Sequence, residues 1–178
     1  MKYRALIVVL ITALALSIAP SVLKAEDADH YIEPTFRTNS DGPTIGSTVR
    51  PILEIDGKYY RDSNGNGVLD DFENWELDID ARVSDLIPRM TIDEKLGLLV
   101  IEYRRDLGIY SDNTSLDGLL DETSGESTSI FDTSASYGTT QAITEIGLRR
   151  WVLRSNPQPS EIAKWNNALQ QVAEGTSN

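Results

Sequence analysis

A run of oxygen-bearing side chains between residues 62 and 73 is the part of this sequence best suited to chemistry. Its residue types match the ligand positions of a calcium loop, which are Asp62, Asn64, Asn66, Val68, Asp70 and Glu73. Calcium takes about six to eight hard oxygen ligands, and short side chains at alternate positions of a tight curve supply them. Gly67 permits the sharp turn, Val68 offers its main-chain carbonyl, and Glu73 closes the site with both carboxylate oxygens. The pattern predicts bound Ca²⁺.

The same composition has a second interpretation, a solvated turn without metal, because asparagine and glycine also form turns on their own. A calcium sensor would place a helix before the loop and pair it with a second loop. Here a predicted hairpin precedes the loop, and no second loop follows. The predicted role of the metal is therefore structural, fixing the hairpin to the helix that follows.

Short-range signals predict the elements around this loop. Two short apolar runs flank Asp56-Gly57, which indicates a hairpin over residues 52–60 with a type I′ turn. Apolar spacing predicts helices at about 78–90 and 91–101, and Thr91 with Glu94 has capping-box spacing at the second. Gly97 weakens that helix by about 1 kcal/mol relative to alanine, and we expect it to permit close packing.

The rest of the chain divides by composition. Residues 26–50 are polar and predict an extended arm, in which His30 is an ordinary solvated side chain. Residues 51–105 hold the hairpin, the calcium-type loop and the helical lead-in. Residues 106–142 are rich in Ser, Thr, Asp and Gly and predict a long surface loop. Residues 143–178 predict one βα unit, with a strand at 147–154 and a helix capped by Ser160 that stops at Gly175.

The N-terminus and the overall charge indicate where the protein works. Lys2 and Arg4 precede an apolar run, and a small-residue cleavage site follows, so residues 1–25 predict a signal peptide and export to the periplasm or outside a bacterial cell. An uncleaved anchor is the alternative, but the run is short for a span of about 20 residues. The chain has no cysteine and a net charge of −12, which excludes disulfides and disfavours nucleic acid as a partner.

Three blocks in this sequence carry a family resemblance. Residues 60–75 read Y-R-D-x-N-x-N-G-x-L-D-x-x-E-x-W, and residues 82–95 read R-V-x-D-L-I-x-R-M-T-x-x-E-K. Residues 147–175 follow in the same order with the strand and helix described above. The chain resembles the N-terminal region of glycoside hydrolase family 3, the β-glucosidase and β-xylosidase family.

The resemblance implies an α/β fold, the incomplete N-terminal start of a (β/α)8 TIM barrel, preceded by the hairpin, the calcium-type loop and the helices. It implies hydrolysis of terminal β-D-glucosides or xylosides with retention, on an oligosaccharide or aryl β-glucoside substrate. In the family the nucleophilic aspartate lies in a Ser-Asp-Trp-like segment far downstream, and the acid/base lies in a second domain. No position here matches either, so we assign no catalytic or substrate-binding residue and expect this piece alone to be inactive.

A second class of function stays open, a free-standing secreted module that calcium stabilises and that binds or supports without catalysis. Several acidic residues near the predicted helix starts complement the helix dipoles rather than form a catalytic pair; they are Asp78, Asp80, Asp85, Asp93 and Glu94. We predict no membrane span after signal cleavage, and the sequence leaves the oligomeric state open.

Overall fold

The computed structural model describes residues 29–104, 108, 112–122, 137–153 and 156–176. The predicted signal peptide at 1–25, parts of the predicted loop at 106–142, and the last two residues lie outside the described residues. The elements in chain order are β1 (Thr35–Thr38), β2 (Thr44–Ser47), β3 (Ile52–Ile55), β4 (Lys58–Arg61), α1 (Ile79–Arg89), α2 (Ile92–Leu99), β5 (Glu102–Arg104), β6 (Thr114–Ser115), β7 (Leu120–Asp121), α3 (Thr139–Thr144), β8 (Trp151–Leu153) and α4 (Pro159–Gly175).

Two antiparallel hairpins precede the calcium-type loop. The β3–β4 hairpin is confirmed, with Ile55 opposite Lys58 and positive φ at both Asp56 (51°) and Gly57 (77°), as a type I′ turn requires. The β1–β2 hairpin lies in the segment predicted as an extended arm. Its strands are short and mostly exposed, so they carry little of the apolar alternation that identifies a strand.

Helices α1 and α2 begin at the side chains that the sequence indicates. The Asp78 carboxylate accepts the Ala81 N–H at 2.8 Å and caps α1. At α2, the Thr91 hydroxyl accepts the Glu94 N–H at 3.2 Å, while the Glu94 carboxylate accepts the Thr91 N–H at 2.6 Å. The predicted capping box is confirmed, and both helices are slightly shorter than predicted.

The buried core lies in the second half of the chain, and part of it comes from the stretch predicted as a surface loop. Leu116 and Leu120 lie at the β6–β7 hairpin and are fully buried against α3 and α4. The surface-loop prediction is wrong for Leu116 and Leu120, because the tight turn at Asp117-Gly118 directs both into the core, with Leu119 partly buried beside them. The core consists of Leu116, Leu120, Ile143, Trp165, Ala168 and Leu169.

Strand β8 and helix α4 form the predicted βα unit, and β8 pairs in parallel with β5. The predicted cap at Ser160 is wrong: Gln158 is the N-cap, Pro159 is the first helical residue, and the Glu161 carboxylate accepts the Gln158 N–H at 2.8 Å. Within the described ranges the strands form four two-stranded sheets and no closed barrel. The chain therefore mixes α and β structure, and the start of a barrel stays a prediction.

Gly97 permits the close approach expected of it. A Cβ atom at this position would lie 2.1 Å from the carbonyl oxygen of Gly147. We expect Gly97→Ala to lower the free energy of unfolding by about 1–3 kcal/mol, because backbone must shift to admit the methyl group. Urea unfolding of the full chain measures this. Gly175→Ala is the matched control, since nothing lies within 4 Å of its Cβ position; an equal loss in both variants would contradict the packing explanation.

Candidate metal centre

The calcium-type loop, residues 62–73, connects the end of β4 to the turn before α1. Its first predicted ligand, Asp62, is fully buried, and its last, Glu73, is 7% exposed. The side chain of Val68 is 61% exposed, which agrees with a role for its main-chain carbonyl alone. The two ends of the loop are thus anchored inside the protein while its tip faces solvent.

Asp62 organises the first half of the loop through its two carboxylate oxygens. Oδ1 accepts the Asn66 N–H at 3.0 Å, and Oδ2 accepts the Gly67 N–H at 2.8 Å. Gly67 has a φ of 76°, a left-handed conformation that a side chain disfavours. The curl that would turn alternate side chains inward is therefore present, and glycine is needed at its apex.

Glu73 joins the two ends of the loop. Its Oε1 accepts the backbone N–H groups of Ser63 at 2.6 Å and Asn64 at 3.3 Å, and its Oε2 accepts that of Asp70 at 3.1 Å. Burial raises the pKa of the Glu73 carboxyl above its usual value, against the lowering effect of these hydrogen bonds, and the negative charge of Asp62 raises it further. A nearby positive charge would lower the free-energy cost of keeping the buried Glu73 carboxylate ionised.

Asp70 is the point at which the amide side chains converge. Its Oδ2 accepts hydrogen bonds from Nδ2 of Asn64 at 2.7 Å and from Nδ2 of Asn66 at 2.8 Å. The bond from Asn64 is the largest cause that lowers the pKa of Asp70, and the nearby guanidinium of Arg89 lowers it as well. The Asp70 carboxylate is thus held ionised, with donors gathered around one of its oxygens.

Helix α1 contacts the calcium-type loop at the backbone of Phe72. The carboxylate of Asp85 accepts the Phe72 N–H at 3.1 Å, and Arg82 Nε donates to the Phe72 carbonyl at 3.1 Å. Arg89 Nη2 lies 2.9 Å from both Asp70 Oδ1 and Asp85 Oδ1. The loop is therefore docked on α1, which is the connection that the structural role requires.

The loop brings its predicted ligands into one connected group without assembling three carboxylates at one point. Among the described residues, no group of three or more His, Cys, Asp or Glu side chains converges tightly enough to hold a metal by itself. The donor set is instead mixed, with carboxylate, amide and carbonyl oxygens, which is the hard-oxygen chemistry that Ca²⁺ takes. Within the described part of the chain Asp62 and Glu73 form no ion pair, so a cation would balance buried negative charge.

The other acidic candidates have structural positions. Glu94 completes the predicted capping box of α2. Asp78 lies at the start of α1 as predicted, and the structure shows that it is the N-cap. Asp85 lies within α1 rather than at its start, so the helix-dipole interpretation is wrong for it; it holds the loop instead. His30 is exposed as predicted, yet Asp117 Oδ1 contacts its Nδ1 at 2.9 Å.

Sequence reasoning missed one buried acid, Glu174, in the last turn of α4. Its Oε2 accepts the Thr48 and Val49 N–H groups at 2.8 and 3.0 Å and the Thr48 hydroxyl at 2.7 Å. A carboxylate at a helix C-terminus opposes the helix dipole, and that conflict was the available signal. Glu174 ties α4 to the turn that follows β2.

Comparison with known proteins identifies a distant relative of this chain. No family model matches the chain. A periplasmic beta-glucosidase/beta-xylosidase from Dickeya chrysanthemi is 28% identical over 130 residues, which are 71% of this chain. The chain is a distant homologue of this glycosidase. It spans 17% of the length of that relative. The resemblance stated from the three sequence blocks is therefore confirmed at the level of weak homology.

The relative is named as a periplasmic glycosidase, and a periplasmic relative is compatible with export of this chain. In the portions of the chain that the structure describes, no helix has the length and apolar character needed to cross a membrane.

Proposed function

We propose that this chain is the N-terminal part of an exported glycoside hydrolase of family 3 type, which removes terminal β-D-glucosyl or β-xylosyl units with retention. The observation that carries the proposal is the homology over 130 residues to a periplasmic beta-glucosidase/beta-xylosidase. The three sequence blocks support it because they include both the calcium-type loop and the helix junction at Thr91.

Within that enzyme, residues 62–73 would hold a structural Ca²⁺. The ligands would be the side chains of Asp62, Asn64, Asn66, Asp70 and Glu73 with the carbonyl of Val68. When bound, the ion supplies positive charge and takes no part in bond cleavage. The contribution of the protein is the curl at Gly67 and the docking of Phe72 between Asp85 and Arg82. Together these would fix the β3–β4 hairpin to α1.

The reaction itself needs groups that we do not assign to this chain. Retaining hydrolysis uses two carboxyl groups about 5–5.5 Å apart, one as nucleophile and one as acid/base. The acids described here cap helices, hold the loop or tie α4 to the β2 turn. The role proposed for this part is to build and brace the start of the catalytic domain.

Activity assays test whether this part of the protein is inactive on its own. We expect the full 178-residue chain to leave aryl β-glucosides and aryl β-xylosides uncleaved, because it lacks the nucleophile and the acid/base. The periplasmic relative, assayed under the same conditions, is the positive control. Release of the aryl alcohol by this chain above the buffer blank would contradict the inactivity.

A further inference from the structure

A cavity of about 680 Å³ lies apart from the calcium-type loop ligands, between the end of β4, the start of β8 and the C-terminal end of α4. Four arginines line it, namely Arg50, Arg61, Arg149 and Arg150, with Glu174 as the acid among them. The chain as a whole carries a net charge of −12, so the excess positive charge of this pocket is opposite in sign to the net charge of the chain. Such a pocket attracts anions.

Glu174 forms the buried wall of this cavity, with 6% of the residue exposed. Burial raises the pKa of its carboxyl, but hydrogen bonds from Thr48 and Val49 and the charge of Arg61 outweigh that effect and hold the pKa below its usual value. The group is therefore ionised and can only accept hydrogen bonds. Among the described residues its Oε1 has no hydrogen-bond donor, and the Arg61 Nη1 atom lies 3.6 Å away.

Two guanidinium groups beside Glu174 have unused donors. Arg50 is fixed by a hydrogen bond from Nη2 to the Thr176 carbonyl, and Arg61 by one from Nη2 to the Gly46 carbonyl. The Nε atoms of both arginines are buried, and neither has an acceptor among the described residues. Three buried polar atoms of the residues that line the cavity, two donors and one ionised acceptor, thus lack a partner among the described residues. Bonds made elsewhere on the same side chains hold these groups in place.

The half-buried side chain of Trp151 also lines the cavity, and the buried core residue Trp165 lies in its wall. Flat apolar surface beside charged hydrogen-bonding groups suits a ligand with an apolar ring face and polar edges. A hydroxyl group is the fragment that both accepts from an arginine Nε–H and donates to a carboxylate, and a carboxylate on the same ligand would pair with a guanidinium.

We propose that this cavity binds a small hydroxylated organic anion of the sugar-acid class. Its carboxylate pairs with the arginine cluster, a ring hydroxyl bridges to Glu174 Oε1, and a ring face packs against tryptophan. The site is independent of glycoside cleavage and contains none of the proposed calcium ligands, although Ser63 of the calcium-type loop lies in its wall. It is a binding site, and no bond forms or breaks in it.

Isothermal titration calorimetry of the full chain with D-glucuronate tests the proposal, with D-glucose and inorganic phosphate as parallel probes. We expect glucuronate to bind and glucose to bind at least about tenfold more weakly, because it lacks the charged group. Absence of glucuronate binding, equal binding of glucose, or tighter binding of phosphate than of glucuronate would each overturn the sugar-acid assignment.

A variant pair locates the site. Arg150→Gln removes an exposed arginine from the cavity wall, and Lys164→Gln removes the same charge from an exposed position on α4 outside the cavity. We expect Arg150→Gln to weaken glucuronate binding about tenfold and Lys164→Gln to leave it unchanged. Equal weakening in both variants would mean attraction by net charge alone and would overturn the site.

Discussion

Replacing Glu174 by alanine is expected to lower the free energy of unfolding by about 3 kcal/mol, the cost of removing one partner from a buried charge cluster. The substitution leaves the Thr48 and Val49 N–H groups without their acceptor and removes the negative charge beside Arg61. Urea denaturation of the full chain at neutral pH measures the change. Glu54→Ala, at an exposed position of β3, is the control and should change stability little.

The same carboxyl predicts a pH dependence. Its pKa is lower in the folded chain than usual for glutamate, so its contribution to stability is fully present above the ordinary glutamate pKa. That contribution is lost as the pH falls through the lowered value. The difference in free energy of unfolding between the wild type and Glu174→Ala should therefore become smaller in strong acid. The difference between the wild type and Glu54→Ala should stay small at every pH. A difference for Glu174→Ala that stays constant down to the lowest pH at which the chain folds would contradict this role.

Calcium is expected to produce the second large effect. At a concentration about 100-fold above the dissociation constant, a ligand that binds only the folded state stabilises it by about 2.7 kcal/mol. We expect the melting temperature of chelator-treated chain to rise with added CaCl2. The physical reason is relief of the buried negative charge of Asp62 and Glu73.

A matched pair of variants separates binding at the loop from general screening by salt. Glu73→Gln keeps an oxygen acceptor for the loop N–H groups but loses the charge and the two-oxygen closure. Asp71→Asn removes the same charge at an exposed position between the proposed ligands. We expect the calcium-induced rise to vanish in Glu73→Gln and to persist in Asp71→Asn. An equal calcium-induced rise in melting temperature in both variants, or no rise in the wild type, would contradict calcium binding at the loop.

Features set by neighbouring residues were predictable from the sequence. The turn at Asp56-Gly57 requires positive φ at adjacent residues, and the capping box at Thr91 needs a glutamate within one helical turn. The inward curl at Gly67 belongs to the same class. Each depends on chain geometry over a few residues, so residue type and spacing identify it without knowledge of the fold.

Features set by distant contacts were not predictable. Leu116 and Leu120 look like isolated apolar residues in a polar stretch, and only packing against α3 and α4 makes them core. Glu174 acquires its hydrogen-bond partners from residues more than a hundred positions earlier in the chain, at the β2 turn. Propensity carries no information on such partners, because tertiary packing chooses them.

The most direct test of the central claim is the nucleotide sequence that follows codon 178, read in all three frames. We predict a continuation that reaches a Ser-Asp-Trp-like segment far downstream, because the chain matches only 17% of its glycosidase relative. The protein encoded by the chain together with this continuation should then cleave an aryl β-glucoside or β-xyloside. A stop codon with no such sequence downstream would contradict the account and favour a free-standing calcium-stabilised binding module.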